Sequence, residues 1–385
     1  MDIALQNGRI IDPETRTDVE ANVYIKDGRI ESIGQETLAA DQVLDASGLV
    51  VCPGFIDIHM HREDEVGSEK DKGVSTTNEM GWLEAGMGVT TAVGGNCGMG
   101  PPDFKNYMGV IEKIGTPINY MTFSGHAILR EVCGQTDRYT PAKADIIRVM
   151  AGRVRQALEE GAVGLSIGLE YTPGASFEEL LGVIRPLTDF PGALVSIHYR
   201  YDADRALESI DEMIALADES KAPLEISHLN SCAAFGLMPQ ALKKLETAIK
   251  SGVDLSIDTY PYDAFCTFLG SAVFDPGCLE RWGVDYDALL VATGSHAGER
   301  FNAQLFERLR QEEPDALVVA FVMQEAEVEQ AIAHPLTMVA SDGLTVNGQG
   351  HPRGAGTFPR VLGFFSRQKG LLDLIEAIRK MTLLQ

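Results

Sequence analysis

The reading of this chain turns on the stretch Pro53-Gly-Phe-Ile-Asp-Ile-His-Met-His61. Its apolar run, Phe55 to Ile58, predicts a buried strand. Side chains two residues apart on a strand point the same way, so His59 and His61 aim two imidazoles at one point beyond the strand's C-terminal end. That is part of a metal site if other ligands arrive from elsewhere. An ordinary exposed strand carries such a pair just as readily, and the rest of the chain has to decide.

Downstream of residue 53, short apolar runs alternate with helical periodicity. Strands are expected at 55–59, 89–93, 119–124, 163–167, 194–198, 224–228, 254–258 and 337–341. Ile147, Met150, Val154 and Leu158 share one helical face; Leu207, Ile210, Ile214 and Ala217 share another; Leu242, Leu245 and Ile249 repeat the pattern. Eight strands alternating with helices predict an α/β chain built as a (β/α)8 TIM-like barrel over 53–385, with its active site at the C-terminal strand ends. The stretch 265–336, with its extra apolar run Leu317 to Val322, reads as the last helical layers plus an insertion near the barrel mouth. Upstream, Asn7-Gly8, Asp27-Gly28 and Ser47-Gly48 are turn signals between apolar pieces such as Val23-Tyr-Ile25 and Leu49-Val-Val51. Residues 1–52 are therefore expected to form a small β-domain.

Composition narrows the class. The 385 residues are 45% apolar with a net charge of −24, enough to bury a large core and to repel phosphate backbones, which excludes nucleic acid as an expected partner. Cys52, Cys97, Cys133, Cys232, Cys266 and Cys278 show no paired spacing and no CxxC, which speaks for a reducing compartment. The N-terminus lacks the pattern of a signal sequence and no apolar stretch reaches membrane-spanning length, so the cytoplasm is the expected location.

With those strands, polar residues collect at one rim. The first strand ends in His59 and His61, the second runs into Asn96-Cys97-Gly98, the fifth and sixth end in His198 and His228, and the eighth ends in Asp342. A lone strand-end histidine is more often a hydrogen-bonded structural residue, and an unpaired cysteine is commonly a small apolar one. Six ligand-type groups converging on one rim favour a metal site. Nitrogen, thiolate and carboxylate donors suit zinc best, with iron, manganese and cobalt as alternatives. A bound divalent ion lowers the pKa of its water and polarises a carbonyl, and a nearby carboxylate can shuttle the proton to a leaving nitrogen. Hydrolysis of a C–N amide bond is the reaction class that follows.

The histidine pair with its strand-five and strand-six histidines and strand-eight aspartate resembles the amidohydrolase superfamily. Gly88-Val-Thr-Thr-Ala-Val-Gly-Gly-Asn-Cys-Gly98, Ser124-Gly-His-Ala-Ile-Leu-Arg130, Gly164-Leu-Ser-Ile-Gly-Leu-Glu-Tyr171, Ile226-Ser-His-Leu229 and Asp258-Thr-Tyr-Pro-Tyr262 are similar to its D-aminoacylase (N-acyl-D-amino-acid deacylase) branch. So are Ser341-Asp-Gly343 and His351-Pro-Arg-Gly-Ala-Gly-Thr-Phe-Pro-Arg360. The resemblance implies deacylation of N-acyl-D-amino acids, with Cys97, His198 and His228 holding a tight zinc and His59, His61 and Asp342 a second, weaker or optional one. It implies Asp342 as general base and then acid, and Arg353 as the grip on a substrate carboxylate, a task suited to a guanidinium fork; the alternative for Arg353 is an ion pair. Glu170, where many relatives place a bridging group, is a possible further metal contact. His126, Tyr171, Tyr260 and Tyr262 fall in matched motifs and are candidates for the substrate pocket or for structural roles. His296, His334 and His351 show no ligand context.

Three departures stand out. The branch commonly has a lysine where this chain has Asn230, which removes a charge from carboxylate binding. The acidic run Arg62-Glu-Asp-Glu65 disfavours a polyanionic substrate. Relatives continue beyond Ile375-Glu-Ala-Ile-Arg-Lys-Met-Thr382 with strands completing a small β-sandwich domain, so the C-terminal part is expected to be missing, or smaller, here; its loss would leave apolar edges of residues 1–52 exposed. Two other readings compete: a cyclic-amide hydrolase of dihydroorotase or hydantoinase type, against which Val163-Gly-Leu-Ser-Ile167 offers no strand-four lysine, and a non-catalytic barrel scaffold. A small-molecule amide is the expected partner, and a homo-oligomer is compatible with the sequence.

Overall fold

The computed structural model describes residues 1–62 and 78–385. Within the acidic run, Glu63, Asp64 and Glu65 lie outside the described residues. Arg62 is buried, its guanidinium 4.9 Å from the centre of the Tyr120 ring.

Eight parallel segments form a closed ring: Phe55–Asp57, Val89–Gly94, Asn119–Thr122 continued by Ser124–Gly125, Gly164–Gly168, Leu194–His198, Leu224–Ile226, Leu255–Thr259 and Thr337–Val339. The third segment joins the two halves, because Asn119–Thr122 pairs with the second strand and Ser124–Gly125 with the fourth. A parallel bridge between Met60 and Gly343 closes the first strand on the eighth. The strands are apolar because both faces are covered: Leu165, Ile167, Val195, Ile197, Ile226 and Ile257 are all fully buried. The expected helical faces supply the cover. Met150, Val154 and Leu158 of helix Ala144–Glu159 are buried, as are Ile210 and Ala217 of Ala206–Ser220 and Leu242 and Leu245 of Met238–Lys250. Ile147, Leu207, Ile214 and Ile249 pack half-buried at the margins of those faces.

The N-terminal strands, Ile3–Asp12, Thr17–Lys26, Arg29–Gly34, Gln42–Asp45 and Val50–Val51, make one five-stranded sheet over a small separate core of Ile10, Ala21 and Val23. Asp27 and Gly28, at φ 51° and 72°, form the two-residue hairpin their sequence predicts. Asn7-Gly8 does not turn the chain. The strand runs through it, the ladder slips between Leu5 and Gly8, and Asn7 sits at φ 63°, so the left-handed residue is absorbed as a bulge.

Between the seventh and eighth barrel strands, Ala264–Phe268, Leu289–Val291 and Leu317–Phe321 form an antiparallel sheet with the last in the middle. The apolar run at 317–322 is thus a central strand rather than a helical layer. Strands flank it on both sides, and β-branched Val318 and Val319 are buried there. Among the described residues no helix is long and apolar enough to cross a membrane, and all six cysteines are unpaired.

Candidate metal centre

Three candidate donors sit on a strained backbone just past their strands. Cys97, His228 and Asp342 have φ of 54°, 37° and 48°. A left-handed residue other than glycine costs roughly 1–2 kcal/mol and persists only where its surroundings over-determine it. Around Cys97 the surroundings are a glycine-rich loop lying against the next strand ends. Gly98 has φ 80°, and a Cβ there would come within 3.0 Å of the backbone nitrogens of Ala127 and Gly168.

The six expected donors come together. Cys97 Sγ lies 3.4 Å from His59 Nε2, 3.6 Å from His198 Nδ1 and 3.6 Å from His228 Nε2. Asp342 Oδ1 is 3.5 Å from His59 Nε2 and 3.2 Å from His61 Nε2. Three sets, His59–His61–Cys97, Cys97–His198–His228 and His59–His228–Asp342, each bring their donor atoms within 4.8 Å of one another. One thiol, four imidazoles and a carboxylate gathered in a largely buried pocket fit a borderline-soft divalent ion, zinc above all.

Each of three rings is held by its outer nitrogen. His59 Nδ1 meets Asp258 Oδ2 at 2.9 Å, His198 Nε2 meets Glu170 Oε2 at 3.1 Å, and His228 Nδ1 meets Ser231 Oγ at 3.0 Å. Such partners fix tautomer and ring orientation and leave the inner nitrogen facing Cys97, where it could meet an ion. Glu170 therefore stands behind His198 and belongs to none of the donor sets. Its backbone N–H bonds Tyr199 O at 2.9 Å, which ties it to the end of the fifth strand. Asp258 and Ser231 went unassigned in the sequence. Asp258 occupies a strand-end position like the ligands themselves, and that was the available signal.

Electrostatics match the packing. Burial alone would raise the Cys97 thiol, but His59, His198 and His228 around it outweigh burial and hold it well below the ordinary thiol range. Burial would likewise raise Asp342, and Arg353 with the neighbouring histidines overrides it, keeping the carboxyl ionised. Arg353 Nη1 sits 2.8 Å from Asp342 Oδ2 and its Nη2 donates to Cys266 O at 2.9 Å. Its fork is thus engaged with Asp342 rather than open to solvent. His351, read as having no ligand context, accepts the Arg353 backbone N–H on Nδ1 at 3.0 Å and so helps start the helix Arg353–Arg360.

A cavity of about 110 Å³ opens against the cluster, walled by His61, Cys97, Met99, Ile128, Tyr171 and Phe268. Tyr171 is held at the wall through Thr267, 3.0 Å from its hydroxyl. Tyr260 is buried, its ring 4.7 Å from the Arg353 guanidinium, and Tyr262 is half-buried against His351 and Arg360. His126 does not reach this cavity. It is wholly buried, with Nε2 2.9 Å from Glu179, which also binds Arg130. Asn230 is buried too, its amide bonding the carbonyls of Tyr260 and Tyr262 at 3.2 and 3.3 Å. His296 and His334 pair with Glu299 and Glu246 away from the cluster. A wider hollow of about 620 Å³, walled by Ile56, Ile58, Val93 and Phe123 among others, shares no lining residue with the donor sets.

Residues 42–345 match the Amidohydrolase family. An N-acyl-D-glutamate deacylase of Alcaligenes xylosoxydans xylosoxydans is 32% identical over 414 residues, spanning 100% of this chain and 82% of the relative. A solved D-aminoacylase, studied for one-metal activation and second-metal attenuation at its binuclear metal centre, superposes with a TM-score of 0.86 at 29% identity, covering 100% of this chain and 84% of its own. The N-acyl-D-glutamate deacylase of Bordetella bronchiseptica, solved with zinc and a phosphonate mimic of the tetrahedral intermediate, gives 0.85 at 28% identity, covering 100% and 85%.

Proposed function

This chain belongs to the amidohydrolase family, and from that membership we propose that it is a zinc-dependent deacylase of N-acyl-D-amino acids. The observation that carries the reading is the Cys97 thiol, set 3.4–3.6 Å from three imidazoles, with Asp342 Oδ1 3.5 Å from the same His59 Nε2 that faces the thiol. Cys97, His198 and His228 would hold the tighter ion, and His59, His61 and Asp342 a second, weaker one. When bound, such an ion supplies hydroxide at neutral pH and polarises the scissile carbonyl.

The chain's own residues do the rest. Asp342, kept ionised by Arg353, takes the proton of the attacking water and returns it to the departing nitrogen. Arg353, ion-paired with Asp342 through Nη1, keeps its Nε–H without a hydrogen-bond partner among the described residues, and that donor would take the substrate's α-carboxylate. Tyr171 walls the cavity, while Tyr260 and Tyr262 back the Arg353 side of the site; His126 supports its neighbours from the core. A small-molecule amide is the partner, and six unpaired cysteines suit a reducing cytoplasm.

The test is turnover of N-acetyl-D- against N-acetyl-L-amino acids by the zinc-reconstituted protein, with dihydroorotate and a hydantoin as cyclic-amide controls. We expect D-selective deacylation and no opening of the cyclic amides. Asp342→Asn should lower kcat by about 10²–10⁴-fold, the range of general acid–base catalysis. Absence of D-selective turnover with zinc bound would overturn the substrate assignment. Full activity in Asp342→Asn would remove that residue from the chemistry.

A further inference from the structure

The inserted segment between the last two barrel strands walls the cavity with Phe268 and, further along, sends one cationic side chain to a carboxylate behind the candidate donors. Arg281 lies on the short helix Cys278–Trp282 of that segment. Its Nη2 is 3.2 Å from Glu170 Oε1, and the other oxygen of the same carboxylate meets His198 Nε2 at 3.1 Å. Its Nε is 2.7 Å from Asp202 Oδ1, and Asp202 Oδ2 accepts from Trp282 Nε1 at 2.6 Å. Arg281 is itself braced within the insertion, donating to Val273 O at 3.1 Å and lying 5.0 Å from the Trp282 ring. Glu170 and Asp202 follow the fourth and fifth barrel strands, so one guanidinium joins two buried carboxylates from adjacent strand ends.

We propose that Arg281 is a positioning residue for the metal centre, holding Glu170 against His198 so that His198 Nδ1 faces Cys97. The physical argument concerns the tautomer. An imidazole that ligates through Nδ1 carries its proton on Nε2, and a carboxylate acceptor at Nε2 both fixes that tautomer and aims the ring. Glu170 has two acceptor oxygens; Arg281 occupies one and thereby pins the other on His198. Without Arg281 the two neighbouring carboxylates lose the cation between them and Glu170 is free to turn. The insertion therefore sets the orientation of the fifth-strand histidine without contributing a donor of its own. This inference rests on the metal-centre reading above.

The experiment measures zinc affinity by chelator competition on the full chain, together with the thiolate-to-metal absorption band of the cobalt(II)-substituted protein. Native protein is measured first; if it binds no zinc, the metal reading itself fails. Arg281→Ala should weaken zinc binding by about 10–100-fold, the usual effect of losing an outer partner, and shift the cobalt band. Arg281→Lys should recover part of the loss. Arg310→Ala is the control, because Arg310 pairs with Asp275 within the same segment and has no contact with Glu170. Native affinity in Arg281→Ala, or an equal loss in Arg310→Ala, overturns the proposal while leaving the metal reading intact. Should Arg281→Ala fail to fold, Glu170→Gln decides: about tenfold weaker zinc supports the positioning chain, and unchanged affinity and band overturn it.

Discussion

Glu179 shows what holds the ground beneath the site. It is buried, yet it accepts from His126 Nε2 at 2.9 Å, from the Ala142 backbone N–H at 2.8 Å, and from Arg130. Burial would raise its carboxyl, but these partners outweigh burial and push it down to about 2 from the ordinary 4.5. A carboxylate depressed in the folded state contributes stability that is fully present above pH 4.5 and is lost as pH falls through about 2. Glu179→Gln leaves Arg130 buried without its counter-charge and should cost about 3–5 kcal/mol at pH 7. Urea unfolding of both proteins from pH 7 to pH 2.5 should show that gap narrowing as pH falls. A gap independent of pH would mean Glu179 acts by packing rather than by charge.

At the level of elements, the site is made by the turns that end strands, where the chain leaves regular geometry. Cys97 reaches the cluster because the loop from Gly94 to Gly100 lies flat on the third and fourth strand ends, and Gly98, next to Cys97, approaches both Ala127 after the third strand and Gly168 at the end of the fourth. Gly98→Ala adds a methyl within 3.0 Å of two backbone nitrogens and places a side chain at φ 80°. The backbone penalty alone is roughly 1 kcal/mol. We expect zinc affinity to fall by at least about tenfold, because a ligand set loses affinity when one donor is displaced. Circular dichroism should still show a folded barrel. Native zinc affinity in this variant would show that another part of the loop positions the thiol.

Across the whole molecule, the six donors arrive from five strands spread from residue 59 to residue 342, so an ion at their centre would tie distant parts of the ring together. Ligand that binds only the folded state stabilises it by RT ln(1 + [L]/Kd), about 4 kcal/mol at a thousandfold excess over Kd. Chelation should therefore lower Tm by several degrees and zinc should restore it; a Tm indifferent to both would argue against a tight ion. Much of this was legible in the sequence. Alternating apolar runs marked all eight strands, because burial on both faces leaves a local trace. His59, His61, Cys97, His198, His228 and Asp342 announced themselves by type and by place at strand ends. The positions that misled were those where local signals have more than one outlet. Asn7-Gly8 served a bulge rather than a turn, and the run at 317–322 joined a sheet rather than a helical layer. His126, which the sequence left open between pocket and structural roles, lies in the core. By itself, then, the sequence determined the barrel, the rim and the kinds of side chain that gather there. Only the tertiary structure decided how each donor is aimed, since Asp258 meets His59 across 199 residues and Arg281 meets Glu170 across 111, contacts that exist only once the ring has closed.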